Sequence, residues 1–394
     1  MNPQYIEHDE ELAQFCEELS EASFIAFDTE FVSEDTYKPQ LCLVQVSTGE
    51  RLAIIDPLRC GNLDLFWQQV VDPHKSIIVH AGREEYLFCY RSTGKLIPNL
   101  FDVQLAAAFL GFEYPISYGN LVSKLVGAQL DKNETRSDWR QRPLSSQQLE
   151  YAIQDVRDLP ALHTQLQRKL ESAKRLEWLQ SESVERQRQL TESEEQEGWY
   201  RLSGIQTLSP PSLATAVALW RWRDDEAKRR DVPPRRVLRD DLLIELARRR
   251  SSDVRRIASL RGMQYANLRN QIEQIAQTIV DARDDEPPTM PPRKRSPKFQ
   301  PAPMLTQFLA AALASVCRKK KIATSLVGTA DDLKDFINYR LRDEERGDAE
   351  LPNLLLGWRA EIVGSTLDEL LRGEAGLRIE DPNSESPLRV DRFE

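Results

Sequence analysis

Asp28 and Glu30 stand two residues apart in the run SFIAFDTEFV, residues 23–32. The run is rich in β-branched and aromatic residues, so it reads as a strand. Period-2 alternation sends both acids to one face and Phe27, Thr29 and Phe31 to the other. Two ionised carboxylates side by side repel, and a strand keeps such a pair where a cation bridges it. The rest of the run is apolar and is expected to be buried, where an unpartnered acid pair is costly. A solvent-facing strand end with two innocent acids fits that apolar run less well.

A second pair lies in the helical run from Ser145. Tyr151 and Asp155 are four apart and share one helix face. A phenol one turn from a carboxylate could orient a water for in-line attack; taken alone, a half-buried tyrosine beside a solvated acid explains it as well. Glu84 and Glu85 follow the short strand SIIVH and are either a further metal-binding carboxylate or first-turn acids that suit the helix dipole. Asp102 precedes a helical run and reads as an N-cap.

These residues need elements to hold them. Residues 9–19, 82–90, 102–110 and 145–169 read as helices, residues 23–32, 40–47, 51–56 and 76–80 as strands, and Thr48-Gly49-Glu50 as a hairpin turn. Strands separated by helices imply an α/β domain. From about Glu171 the pattern is almost purely helical, with an acidic connector at 192–198. Helices are expected over 212–230, 239–249, 252–260 and 266–283, broken by Pro233-Pro234, Ser251 and Gly262. A proline-rich, charged linker comes next, then a second helical stretch with a loosely structured tail from Glu380. The expected domains are 1–200, 208–285 and 304–394, with the linker at 286–303. The linker predicts that the last unit folds separately, so that deleting 284–394 spares the nuclease.

Charge divides the chain in the same way. Residues 1–209 carry −13, 210–283 carry +6, 284–303 carry +1 and 304–394 carry −4. A basic block inside an acidic protein is a candidate phosphate-binding surface, though mixed charge on a solvated helix face would count the same. Arg221, Arg223, Lys228, Arg229, Arg230, Arg235 and Arg236 are its candidates for phosphate contact. Trp139, Trp199, Trp220 and Trp222 are candidates for base stacking, with core packing the better reading of Trp220 in AVALW.

Other classes fall away. The five cysteines are scattered with no CxxC and there are only four histidines, which leaves no Cys/His zinc site and favours reduced thiols in the cytoplasm. Any metal would be held by carboxylates, which suits magnesium or manganese. The longest apolar stretch, Phe308 to Val316, is far short of the roughly 20 residues of a membrane span. The acidic start has no basic region leading into an apolar run, so no signal peptide and no membrane partner are expected. A monomer is the default state.

The ordered set Asp28-x-Glu30, an acid after HAG, NLFDVQLAAAFLG and Tyr151-x-x-x-Asp155 resembles the DEDD-type 3′→5′ exonucleases with tyrosine in the third motif. The stretch KNETRSDWRQRPLSSQQLEYAIQDVRDL, residues 132–159, is similar to the signature of the bacterial ribonuclease D family. LWRWRDDEAKRRDVPPRRVLRDDLLIELARR resembles an HRDC domain, a helical nucleic-acid-binding module, and the last ninety residues are a weaker match to a second one. The resemblance implies a ribonuclease H-like α/β exonuclease domain followed by one or two all-α HRDC-type domains. It implies Asp28, Glu30, Glu85 and Asp155 as ligands of two divalent ions and Tyr151 as the holder of the attacking water. It selects Glu85 over Glu84, and there the chain departs from the family, which carries aspartate.

The implied activity is 3′→5′ exoribonucleolytic trimming of tRNA precursors and other structured RNAs, releasing nucleoside 5′-monophosphates. Two alternatives stand beside it: a DNA exonuclease, because no motif reads a 2′-hydroxyl, and a catalytically weak binding protein, because Glu85 is one methylene too long.

Overall fold

A computed structural model describes residues 3–130, 137–264, 266–290, 303–341 and 351–393. Residues 131–136 of the signature stretch and 291–302 of the proline-rich linker lie outside the described residues.

The first domain runs β1 (Gln4–Ile6), α1 (Asp9–Ser20), β2 (Phe24–Val32), β3 (Gln40–Ser47), β4 (Leu52–Ile55), α2 (Asp64–Val70), β5 (Ser76–Val79), α3 (Arg83–Thr93), β6 (Leu100–Asp102), α4 (Val103–Ala108), α5 (Tyr118–Leu125), α6 (Ser146–Arg157), α7 (Leu159–Ala173) and α8 (Leu176–Glu195). The strands form one mixed sheet in the order β1-β4-β3-β2-β5-β6. β2 runs antiparallel to β3 and parallel to β5. Both faces are covered, which is why the strands read as apolar runs. Ile25, Phe27, Val44 and Ile55 pack in one cluster with residues of α1, α2 and α3. Ala26, Leu43, Ile54 and Ile78 pack in the other with residues of α4, α5, α6 and α7.

The register of β2 makes the cleft. Its pairing with β5 covers only Phe24 to Ala26, whereas its pairing with β3 runs on to Val32. From Phe27 onward the β5 side of β2 is free, and the register shifts after Glu30. Irregularities of this kind concentrate beside active sites.

Several expectations are corrected. The helix read over 145–169 is two helices meeting at Asp158, with Pro160 in the first turn of the second. The acidic connector at 192–198 is largely helix, since α8 continues to Glu195. The loose tail is a hairpin of β7 (Ala375–Ile379) and β8 (Leu388–Arg392).

The HRDC-like unit begins with α9 (Pro210–Arg230) and continues through helices Pro234–Val237, Asp240–Arg249, Val254–Ala258, Ala266–Arg269 and Ile272–Asp281. It has its own core, in which Val217, Leu243, Ile257, Met263 and Ile275 are buried together.

The apolar core of the last unit is continuous with that of the first domain, where the proline-rich linker suggested a separate fold. Leu309, Leu313, Phe336 and Trp358 belong to the same apolar cluster as Phe109, Leu166 and Leu179 of the first domain. Trp358 packs edge-on against Phe109 at 4.8 Å and stacks on Trp178 at 6.1 Å. Its indole Nε1 donates to Glu182 at 3.1 Å, and Arg359 forms an ion pair with the same carboxylate at 2.8 Å. Gly111 lies against the backbone of Lys321, where a Cβ would come within 2.9 Å. A proline-rich linker marks a chain crossing and leaves open whether the unit beyond it is independent.

Candidate active site

Asp28 and Glu30 project from the free stretch of β2 towards α6, which brings Asp155. Ligand oxygens of Asp28, Glu30 and Asp155 all lie within 4.8 Å of one another. The helix that delivers Asp155 is well defined at its start: Ser145 and Gln148 form a reciprocal capping box. Tyr151 shares its face with Asp155, and its phenol lies near enough to that carboxylate to favour the charged form. Trp139, buried, packs against the Tyr151 ring at 6.1 Å and limits its rotation.

Crowding and burial govern protonation here. Burial first, then the charges of Glu85, Asp155 and Glu30, hold the Asp28 carboxyl well above the ordinary carboxylate range. Burial and the neighbouring Asp155 and Glu85 push Glu30 up to about 8. Burial pushes Asp155 up to about 7, opposed by the Tyr151 hydrogen bond. Burial also raises Tyr151, so its phenol keeps its proton at neutral pH. Without a cation the cluster therefore holds protons near pH 7, and a cation must displace them.

Glu85 lies in the first turn of α3, 6% exposed, and is not part of the three-carboxylate cluster. Its Oε1 accepts a 2.5 Å hydrogen bond from Thr29 Oγ1. Thr29 belongs to the α3 face of β2, so Glu85 approaches the acids around the free edge of the strand. Burial pushes Glu85 up to about 7 against that hydrogen bond. Glu84 is paired with Arg83 instead. Asp102 is the N-cap expected of it: its carboxylate accepts from the backbone of Gln104 at 2.9 Å and Leu105 at 3.3 Å. It also accepts from the backbone of Ala81 at 3.1 Å and Gly82 at 3.3 Å, which fixes the turn that starts α3.

Two arginines of the signature stretch are anchors. Arg142 grips the fully buried Asp56 at 2.5 and 2.8 Å, and Arg140 holds Asp35 at 2.8 Å. Two polar residues that bear on the site carried no signal in the sequence. Thr29 fell on the strand face opposite the acids, with Phe27 and Phe31. Gln45, in register with Asp28 on β3, is fully buried, and neither atom of its amide group has a hydrogen-bond partner.

The basic block divides. Arg223 is 4% exposed and its guanidinium donates to Leu238 O and Asp240, so it is a core brace and not a phosphate contact. Lys228, Arg229 and Arg235 are exposed, paired with Asp224, Glu226 and Asp240. Exposed pairs of this kind contribute about 0–1 kcal/mol each and can be exchanged for phosphate. Arg221 pairs with Glu197, Arg230 with Glu226, and Arg236 donates to the Glu34 carbonyl. Trp139 and Trp199 are buried and cannot stack on bases, whereas Trp220 and Trp222 are half-buried.

Comparison with known proteins agrees with this division. A family model described as a 3′-5′ exonuclease matches residues 3–171, and one described as an HRDC domain matches residues 212–279. A ribonuclease D of Gluconacetobacter diazotrophicus is 33% identical over 385 residues, covering 96% of this chain and 95% of the relative. A ribonuclease D of Pseudomonas paraeruginosa is 33% identical, covering 92% of this chain and 96% of the relative. The crystal structure of Escherichia coli RNase D aligns with a TM-score of 0.78 at 28% identity, over 95% of this chain and 99% of that one.

Proposed function

This chain belongs to the ribonuclease D family of 3′→5′ exoribonucleases, and from that premise we propose a metal-dependent enzyme that uses two divalent cations, magnesium or manganese, to trim tRNA precursors and other structured RNAs. The observation that carries the metal dependence is the convergence of Asp28, Glu30 and Asp155 within 4.8 Å beside a tyrosine. An all-oxygen, buried acidic set fits hard cations. Bound there, the two ions activate water and steady the leaving 3′-oxygen.

The residues divide the remaining work. Asp28, Glu30 and Asp155, joined by Glu85, hold the cations. Tyr151 positions the attacking water; with its proton retained it is a positioner and not a general base. The products are nucleoside 5′-monophosphates. The exposed arginines of the HRDC-like unit hold RNA phosphates and contribute affinity without sequence choice. The structured-RNA substrate is supported by the Escherichia coli relative, which is described as an exoribonuclease involved in structured RNA processing. The enzyme acts as a monomer in the cytoplasm.

The test is a purified chain with 5′-labelled RNA and manganese. Stepwise shortening is expected, faster than on DNA of the same sequence. Asp155→Ala and Asp28→Ala should abolish it with circular dichroism unchanged. Shortening retained by either variant would sink the site.

A further inference from the structure

Resting on that reading, we propose that Gln45 is a positioning residue for Asp28. Its amide is poised to donate to the Asp28 carboxylate and to hold it in the orientation that binds the cation.

The argument starts from the strand. In QLCLVQVS, Gln45 stands between Val44 and Val46 on a central strand and is 0% exposed. Neither its Nε2 nor its Oε1 has a hydrogen-bond partner. A buried polar group left without a partner costs about 1–3 kcal/mol, and an apolar side chain of similar shape would remove that cost. The fold alone therefore gives no reason for glutamine at this position.

The register supplies one. Gln45 is the direct cross-strand partner of Asp28, so the two side chains share a face with Cβ atoms about 4.5–5.5 Å apart. Two carboxylates of the site already have a polar side chain beside them: Thr29 donates to Glu85, and the Tyr151 phenol shares a helix face with Asp155. For Asp28 the hydrogen bond found is a backbone one, from Thr29. An unused donor thus sits opposite the carboxylate that lacks one. Donors behind a metal-binding carboxylate orient it and raise affinity, and losing one typically costs about 10–100-fold.

The experiment compares the full-length parent with Gln45→Met, Gln45→Leu and Gln45→Asn. Manganese binding is read by calorimetry, and kcat and KM on a short RNA are measured separately. Gln45→Met should melt at or above the parent without metal, bind manganese about tenfold more weakly, and lose kcat with KM for RNA held. Gln45→Leu is the second apolar variant should methionine pack badly, and the same losses are expected. Gln45→Asn keeps an amide on a shorter stem and should bind manganese better than Gln45→Met. A residue that merely fills space would give the reverse order, since methionine matches glutamine in volume and asparagine does not. Parent-like manganese binding and kcat in Gln45→Met, or that reversed order, would overturn the proposal. A parent that neither binds manganese nor shortens RNA would instead remove the nuclease reading itself.

Discussion

Residues 303–341 and 351–393 share one apolar cluster with the catalytic domain, and Trp358 packs on Phe109 and Trp178. The HRDC-like helices meet that domain at the loop between β2 and β3, and by hydrogen bonds. Tyr37 donates its hydroxyl to Asp224 at 2.9 Å and its backbone N–H to Asp231 at 3.1 Å, and Arg236 reaches the Glu34 carbonyl at 3.2 Å. Apolar burial scales with area and cannot be exchanged for another partner, whereas a half-exposed polar contact can be exchanged for water or phosphate. The contrast teaches that two helical stretches of similar sequence character do different jobs. One shares its apolar cluster with the catalytic domain. The other has a cluster of its own and meets the catalytic domain at that loop.

The largest effect expected is from removing residues 303–394. This uncovers Phe109 and Trp178 and strips Glu182 of Arg359, and the truncated chain should be insoluble or partly unfolded by circular dichroism and gel filtration. A soluble, folded product would break the comparison at its strong end.

Next is Glu182→Ala. It leaves Arg359 and the Trp358 indole without their buried partner and should destabilise by about 3–5 kcal/mol in chemical denaturation. Tyr37→Phe removes one partly exposed hydrogen bond of the other interface and should cost no more than about 1.5 kcal/mol. Equal losses in the two variants would erase the distinction between the interfaces.

Protonation sharpens the comparison at the acidic cluster of the first domain. Glu30 at about 8 and Asp155 and Glu85 at about 7 all lie above their ordinary carboxylate values. Over roughly pH 4.5 to 8 the folded state therefore binds more protons than the unfolded state, and stability without metal falls as pH rises through that window. Melting temperatures in chelator should drop between pH 5 and 8, and manganese should reduce the drop. A flat profile in chelator would show that the acids are not crowded in solution.

The smallest effect on stability, though visible in binding, is that of Arg229→Ala with Arg235→Ala. Folding should change little, because both arginines are solvent-exposed. RNA affinity should weaken, with the slope of log K against log salt falling by about 0.7 for each lost phosphate contact. An unchanged slope would make this surface a solvated face and nothing more.

Much of the catalytic arrangement is legible along the chain because it rests on local periodicity. Alternation on one strand places Asp28 beside Glu30, and a four-residue step on one helix places Tyr151 beside Asp155. Composition and cysteine spacing confined any metal to carboxylates, and the basic block was visible as charge. Only the tertiary structure decided what each long-range partner does. Thr29 and Glu85, 56 positions apart, become hydrogen-bonded because α3 folds against the far face of β2. Arg223 looks like its exposed neighbours in sequence and is buried because α9 turns it towards Asp240. The last helical unit looks separable because its linker is rich in proline, yet its apolar cluster is continuous with that of the first. Local periodicity is written in adjacent residues, but the burial of a side chain depends on what arrives from elsewhere in the chain, and no residue's own neighbourhood carries that information.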